Sequence, residues 1–306
     1  MNKPNPGNIQ RVHLIFKTHL DVGFTDFSAK VVENYFKSYI PRAIDLARLL
    51  RESGSSDRFI WTTGSWLIYE YLELAGKKER REMEEAIAHG DITWHALPFT
   101  MHSENLDTSL FRYGLSLSQE LDKRFGHKTI AAKMTDVPGH TRGIIPLLEE
   151  AGVQFLHIGV NGASTPPDVP PVFIWRDPNG AEIMVMYHKG SYGDLMIVPG
   201  CTDAIAFAHT GDNLGPQSVD ELYQSYRMIR GQFPGCKIQA STMDAFATQL
   251  VQKKNGLPII ENEIGDTWIH GAGTDPKKEA GYRELSRLRR QWLKRGVAGN
   301  EIKEFS

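Results

Sequence analysis

Val12-His13-Leu14-Ile15-Phe16-Lys17-Thr18-His19-Leu20-Asp21-Val22-Gly23-Phe24 is the stretch from which the fold can be read. Its first five residues form a nearly continuous apolar run, the pattern of a strand covered on both faces. The run ends in a polar segment closed by a glycine, so His19 and Asp21 fall just past the strand. In parallel α/β folds, ligands gather at the carboxyl ends of strands. The same unit recurs along the chain. Strands are predicted at Phe59–Trp61, Ile92–Ala96, Thr129–Met134, Phe155–Val160, Ile183–Tyr187, Ile205–His209, Lys237–Ala240 and Ile259–Glu263. Helical periodicity covers Phe27–Ser53, Trp66–Leu74, Lys77–His89, Thr108–Phe125 and Arg142–Gly152. Short strands separated by helices imply a parallel sheet with right-handed crossovers. Seven or eight such units predict an α/β barrel or barrel-like closed sheet, with a doubly wound open sheet as runner-up.

The composition agrees. The chain has 306 residues, 41% hydrophobic and 24% charged, with net charge −2, as in an ordinary soluble globular protein. No sustained basic run offers a surface for nucleic-acid phosphates. Cys201 and Cys236 are the two cysteines, which excludes a disulfide framework and a CxxC metal site. The N-terminal residues are polar, without the apolar stretch of a signal peptide, and no segment has the length of a membrane span, so the expected compartment is the cytoplasm. Residues 1–10 are expected to be disordered, 11–296 to form one domain, and 297–306 to be a frayed tail after the basic helix Tyr282–Lys294. Gly162–Pro171, with four prolines, is a loop.

Four strand ends carry unusual residues. His19-Leu20-Asp21 places an imidazole and a carboxylate on one side of an extended segment, as two ligands of one metal or as a hydrogen-bonded His beside a capping Asp. Asp136-Val137-Pro138-Gly139-His140-Thr141 sets a carboxylate before a forced turn; it is a candidate ligand or nucleophile, or a cap for the helix near Arg142, a role open equally to Thr141. Gly211-Asp212-Asn213-Leu214-Gly215-Pro216 is a loop able to approach a ligand closely, or an ordinary turn. Asp266-Thr267-Trp268-Ile269-His270 precedes a glycine loop; His270 could complete a mixed His/Asp metal shell and Trp268 could stack on a sugar, or both could be structural. His102 and Glu104 follow the third strand and could line the same mouth.

Taken in order, these segments resemble the catalytic domain of family 38 glycoside hydrolases, the zinc-dependent α-mannosidases. That family opens with a His-x-Asp-x-Gly-Trp segment, where this chain has His19 to Phe24. Its Asp-x-x-Gly-His-Ser segment is matched by Asp136 to Thr141. A Gly-Asp loop followed by Gly-Pro is similar to Gly211 to Pro216, and a His before Gly-Thr is similar to His270 with Gly273-Thr274. The resemblance spans about residues 11 to 290, nearest a divergent branch in which Asp-Val-Pro-Gly-His-Thr and Gly-Asp-Thr-Trp recur.

The resemblance implies a distorted α/β barrel of seven parallel strands acting on a carbohydrate. It implies His19, Asp21, Asp136 and His270 as ligands of zinc or another divalent cation. Asp136 would also be the nucleophile of a retaining glycosidase acting on α-mannosides or related glycosides, and Asp212 its general acid/base. Phe24, His102, Glu104, His140, Asn213 and Trp268 are the candidates to contact the sugar. Phe24 stands where the family has Trp, Asn213 where it often has a second acid, and the family's large C-terminal β-domains are absent from the sequence. Two rivals follow: a metal-dependent carbohydrate deacetylase-like hydrolase, and a catalytically impaired carbohydrate-binding fragment.

Overall fold

The computed structural model describes residues 8–137, 140–265 and 275–296. The Pro138-Gly139 turn, Trp268, His270, most of the expected disordered N-terminal segment and the 297–306 tail lie outside the described residues. Contacts divide the chain into two units, Met1–Asp266 and Thr267–Ser306.

The first unit opens with β1 (Arg11–His19), α1 (Ser28–Asn34), a π turn (Tyr35–Tyr39) and α2 (Ile40–Glu52). Next come β2 (Trp61–Gly64), α3 (Ser65–Leu74), α4 (Lys77–Ala88), β3 (Ile92–His95) and α5 (Thr108–Phe125). There follow β4 (Ala131–Asp136), α6 (Ile145–Glu150), β5 (Phe155–Val160), β6 (Val172–Arg176), β7 (Glu182–His188) and β8 (Met196–Ile197). The unit ends with β9 (Asp203–Asp212), α7 (Val219–Gln232), β10 (Lys237–Ala240), α8 (Met243–Val251) and β11 (Ile259–Ile260). In the second unit the described residues form α9 (Pro276–Lys294). Among the described residues no helix is long and apolar enough to cross a membrane.

Helix boundaries follow from local chemistry. The single predicted helix from Phe27 to Ser53 is divided by the π turn just before Pro41, which lacks the N–H a continuous α-helix requires. Asp107 caps α5 by accepting from Ser109 N, and Gly126 ends it in the left-handed conformation at φ 70°. Two helices lie beyond those the periodicity predicts. Ser218 and Glu221 form a reciprocal capping box at the start of α7, and Thr242 caps α8.

β1 organises the first sheet. One edge runs parallel to β9 along its whole length. The other is shared: Arg11 to Leu14 pair with β10, and Phe16 and Lys17 with β2, which continues to β3, all in parallel. Both faces of β1 are buried from Val12 onward, as its apolar run implies. His13 ties β1 to β9 and to the residue after β10, with Nδ1 2.7 Å from Ser241 Oγ and Nε2 2.9 Å from Asp203 Oδ1.

The second sheet has the order β11-β6-β7-β5-β4. Mostly parallel strands are present as expected, β10 beside β1 and β11 beside β6 among them, but hydrogen bonding divides them between two sheets rather than the expected closed ring of seven. A bond from Ala96 N to Ala131 O, 2.9 Å, links the end of β3 to β4. The departure from an all-parallel ring comes from hairpin chemistry. β6 runs antiparallel to β7 across Asp177-Pro178-Asn179-Gly180, where Asp177 Oδ1 accepts from the backbones of Asn179 and Ala181 and Gly180 has φ 94°. The two-residue β8 likewise runs antiparallel to β9.

Gly64, where β2 meets α3, has no room for a side chain: a Cβ there would lie 2.0 Å from Pro98 O and 2.7 Å from Pro98 C, both backbone. Gly64→Ala must push the segment after β3 off β2. We expect a loss of about 1–3 kcal/mol of stability, measured by urea denaturation; an unchanged midpoint would show that the two segments can separate freely.

Candidate functional site

The pairing of β1 with β9 sets up the site. Thr18 lies opposite Thr210, but His19 lies opposite Asp212, so Gly211 is an extra residue in β9, a β-bulge. The bulge brings Asp212 alongside the His19-Leu20-Asp21 segment. His19 is buried, with Nε2 3.1 Å from Asp21 Oδ1. One donor atom from each of His19, Asp21 and Asp212 lies within 4.8 Å of the other two. A nitrogen and two carboxylate oxygens at this spacing suit a divalent cation with positions left open for a substrate.

Asn213 holds this arrangement in place. Its Nδ2 lies 3.1 Å from Asp21 O, 3.2 Å from Gly23 O and 2.9 Å from Thr25 Oγ1, while its Oδ1 accepts from Asp21 N at 3.0 Å. Tyr35 OH donates to the same Oδ1 at 3.4 Å and to His19 O at 3.3 Å. The Asn213 amide is therefore engaged by the backbone of Asp21 and Gly23 and by the Thr25 and Tyr35 hydroxyls. Phe24, next to two of these anchors, is 84% exposed.

Asp136 ends β4. Its Oδ1 accepts from Asn161 Nδ2 and from Tyr192 OH, each at 2.8 Å. The capping alternative falls away, because Thr141 supplies the cap by accepting from Gly143 N. Asp136 lies outside the 4.8 Å donor group, and Tyr192 connects the two. The Asp212 carboxylate also acts on the Tyr192 hydroxyl, and the Tyr192 ring centroid lies 4.8 Å from that of His19. Burial, then the two carboxylates, hold its phenol far above the usual range, so it stays protonated. Tyr192 follows no strand-end pattern. The clue in the sequence is its glycine-flanked setting, Gly190-Ser191-Tyr192-Gly193, with both glycines at positive φ, 87° and 140°.

Among the described residues, the non-glycine residues at positive φ are Phe24 (62°), Asp136 (74°) and Asn213 (53°), all expected members of the site. Such conformations cost of order 1–3 kcal/mol each and persist where the surroundings over-determine them.

Beneath these residues lie buried basic groups. Lys17 Nζ is 3.2 Å from His95 Nε2, and Lys133 Nζ is 2.9 Å from His157 Nδ1. Lys133 also donates to Tyr192 O at 2.5 Å and lies 4.6 Å from the centre of the Phe207 ring. Burial pushes the Lys17 ammonium down to about 7, and burial with the nearby Lys17 charge holds Lys133 well below the usual lysine range. Burial likewise keeps His95, His157 and His209 neutral.

The other expected contacts gather around the segment after β3. His140 is fully buried, with Nδ1 3.2 Å from Ser103 Oγ, and burial followed by the neighbouring His102 lowers its pKa to about 3. Glu104 is exposed and closes on Gly265, where a Cβ would meet its Oε1 at 3.2 Å.

Residues 10–300 match the family model for the N-terminal domain of glycosyl hydrolases family 38. No curated protein matches the chain. An α-mannosidase from Enterococcus faecalis is similar in structure, with TM-score 0.66 at 12% identity over 83% of this chain and 31% of that one. A family 38 glycosyl hydrolase from the same organism gives 0.53 at 11% identity, covering 83% and 29%. A 4-α-glucanotransferase from Thermococcus litoralis gives 0.52 at 12% identity, covering 93% and 45%. At such identities these likenesses establish fold, and the chain spans less than half of each of these proteins.

Two measurements check the local chemistry. Asn213→Asp exchanges an amide donor for an acceptor facing the Asp21 and Gly23 carbonyls, so we expect a loss of about 2–3 kcal/mol by urea denaturation at neutral pH; wild-type stability would show that the clamp is dispensable. The second is pH dependence. Unfolded His140 and His157 protonate near 6.5, whereas the folded groups do so only well below, His140 at about 3. The unfolded chain therefore binds more protons in that window, so their contribution is fully present above pH 6.5 and lost as pH falls. The urea midpoint should be lower at pH 5 than at pH 7.5, and equal midpoints would contradict buried neutral imidazoles.

Proposed function

We propose, given that this chain belongs to glycosyl hydrolase family 38 and matches its N-terminal domain, that it is a metal-assisted retaining glycosidase acting on α-mannosides or related glycosides. One observation carries this reading: His19, Asp21 and Asp212 form a single donor group, with Asp136 one phenol hydroxyl away. His19 and Asp21 are the core of the metal site, and the family resemblance adds Asp136 and His270. These residues would hold a zinc or other divalent ion, which would supply Lewis-acid chemistry at the sugar.

The chain's own residues carry the bond changes. Asp136 Oδ1 takes the bonds from Tyr192 and Asn161, which leaves Oδ2 to attack the anomeric carbon. As that bond forms, the bond from the anomeric carbon to the aglycone oxygen breaks, its electron pair leaves with the oxygen, and the oxygen takes a proton from Asp212. Asp212, now a carboxylate, removes a proton from water; the water oxygen bonds to the anomeric carbon and Asp136 departs with its electron pair. Two inversions give net retention. Phe24 offers an exposed aromatic face to the sugar ring.

A second reading is favoured by one specific observation. Asp212 lies inside the donor group with His19 and Asp21, where it can serve as a ligand rather than as the acid. Metal content separates the two: Asp212→Asn keeps the metal if Asp212 is the acid and loses it if Asp212 is a ligand.

Three linked results are expected. The purified chain should contain a divalent metal and hydrolyse an aryl α-mannoside with retention, and a chelator should abolish turnover. Asp136→Ala should lower kcat by at least about 1000-fold and weaken metal binding. Full activity with normal metal content in that variant would defeat the proposal, and release of acetate rather than sugar from an acetylated substrate would support the deacetylase-like alternative instead.

A further inference from the structure

Tyr192 has more anchors than packing requires. Its hydroxyl donates to Asp136 of β4 at 2.8 Å, and a second carboxylate from a different strand, Asp212 of β9, acts on the same hydroxyl. Its ring lies against His19, and its backbone carbonyl accepts from the buried Lys133 Nζ at 2.5 Å. Space for that carbonyl exists only because residue 159 is glycine: a Cβ there would lie 2.3 Å from Tyr192 O. Gly193, at φ 140°, lets the chain turn away against Phe207, where a Cβ would sit 3.0 Å from the ring. A phenol has one proton to donate, whereas two acceptors face it here.

Building on the glycosidase reading above, we propose that Tyr192 is a catalytic hydrogen-bond donor serving the two carboxylates in turn, and that Lys133 is the positioning residue that holds it. Before attack, the hydroxyl donates to Asp136 Oδ1, which orients Oδ2 toward the anomeric carbon. As Oδ2 bonds to that carbon, Asp136 loses its negative charge, while Asp212 gains one by giving its proton to the aglycone oxygen. The stronger acceptor is then Asp212, and the O–H rotates toward it. In the second half Asp212 takes a proton from water, Asp136 recovers its charge, and the O–H rotates back. The phenol keeps its proton throughout, so no bond to Tyr192 forms or breaks. Lys133 acts only through the Tyr192 carbonyl, fixing the ring so that a small rotation of one hydroxyl reaches both acceptors.

The test uses the full chain with its metal and an aryl α-mannoside. Tyr192→Phe removes only the hydroxyl. It should lower kcat about 10- to 100-fold, the worth of a hydrogen bond to a charged group, with KM changed less than about 3-fold and metal content unchanged. Lys133→Met should also lower kcat in the wild type, but only slightly in the Tyr192→Phe background, because the two act as one unit. Wild-type kcat in Tyr192→Phe overturns the proposal while leaving the glycosidase reading intact. Additive losses in the double variant overturn the role of Lys133, and should Lys133→Met fail to fold, Tyr192→Phe alone decides. A wild-type chain with metal but no turnover overturns the glycosidase reading and this inference together.

Discussion

The register change between Thr18 and His19 is the constraint on which the site depends. A regular parallel ladder would have carried the Thr18–Thr210 pairing forward by one residue and set Gly211 opposite His19; the bulge sets Asp212 there instead. The following residue, Asn213, then enters the left-handed region at φ 53°, and from there its amide reaches Asp21, Gly23 and Thr25. One inserted residue thus fixes the third donor and the segment carrying the other two. β1 can impose this because it is paired on both edges and buried on both faces, so it has no freedom to slide.

Beneath the carboxylates, the interior is polar and basic where a stable core would be apolar. Lys17 and Lys133 are buried, and among the described residues their side chains meet imidazoles, a carbonyl and an aromatic face rather than carboxylates. Burying such amines is unfavourable, and they respond by giving up their charge. The apolar clusters around them carry the stability: Leu14, Phe16, Trp61 and Tyr226 are in one, and Leu156, Phe173 and Trp175 are in another. Locally unfavourable chemistry gathered at one end of a well-packed scaffold is the usual mark of a functional site.

Much of this was legible in the sequence, because apolar runs and strand-end polarity are local signals. Each predicted strand has an observed counterpart, shifted by a few residues at Phe59–Trp61 and shortened at Ile259–Glu263. β6 was not legible: its signal is the Asp177–Gly180 turn rather than any periodicity of its own. The site divides in the same way. His19, Asp136 and Asp212 stand out because they end strands, and Asp21 because it follows one by two residues. Tyr192 does not, because it lies in a loop and owes its place to Lys133 and Gly159, on two other strands. Long-range positioning of this kind leaves no local trace.

The departure at Asn213 follows from the same geometry. A carboxylate at this position could accept from Asp21 N and Tyr35 OH, as the Asn213 oxygen does, but it has no hydrogen to give the carbonyls of Asp21 and Gly23. Those carbonyls would face a negative charge in a buried space. Asparagine supplies both polarities from one planar group and tolerates the left-handed backbone better than most residues do. The second acid of related loops and the amide of this one are therefore alternatives of architecture: with the amide, the loop is stitched to the strand end and Asp212 is the one carboxylate that this turn contributes.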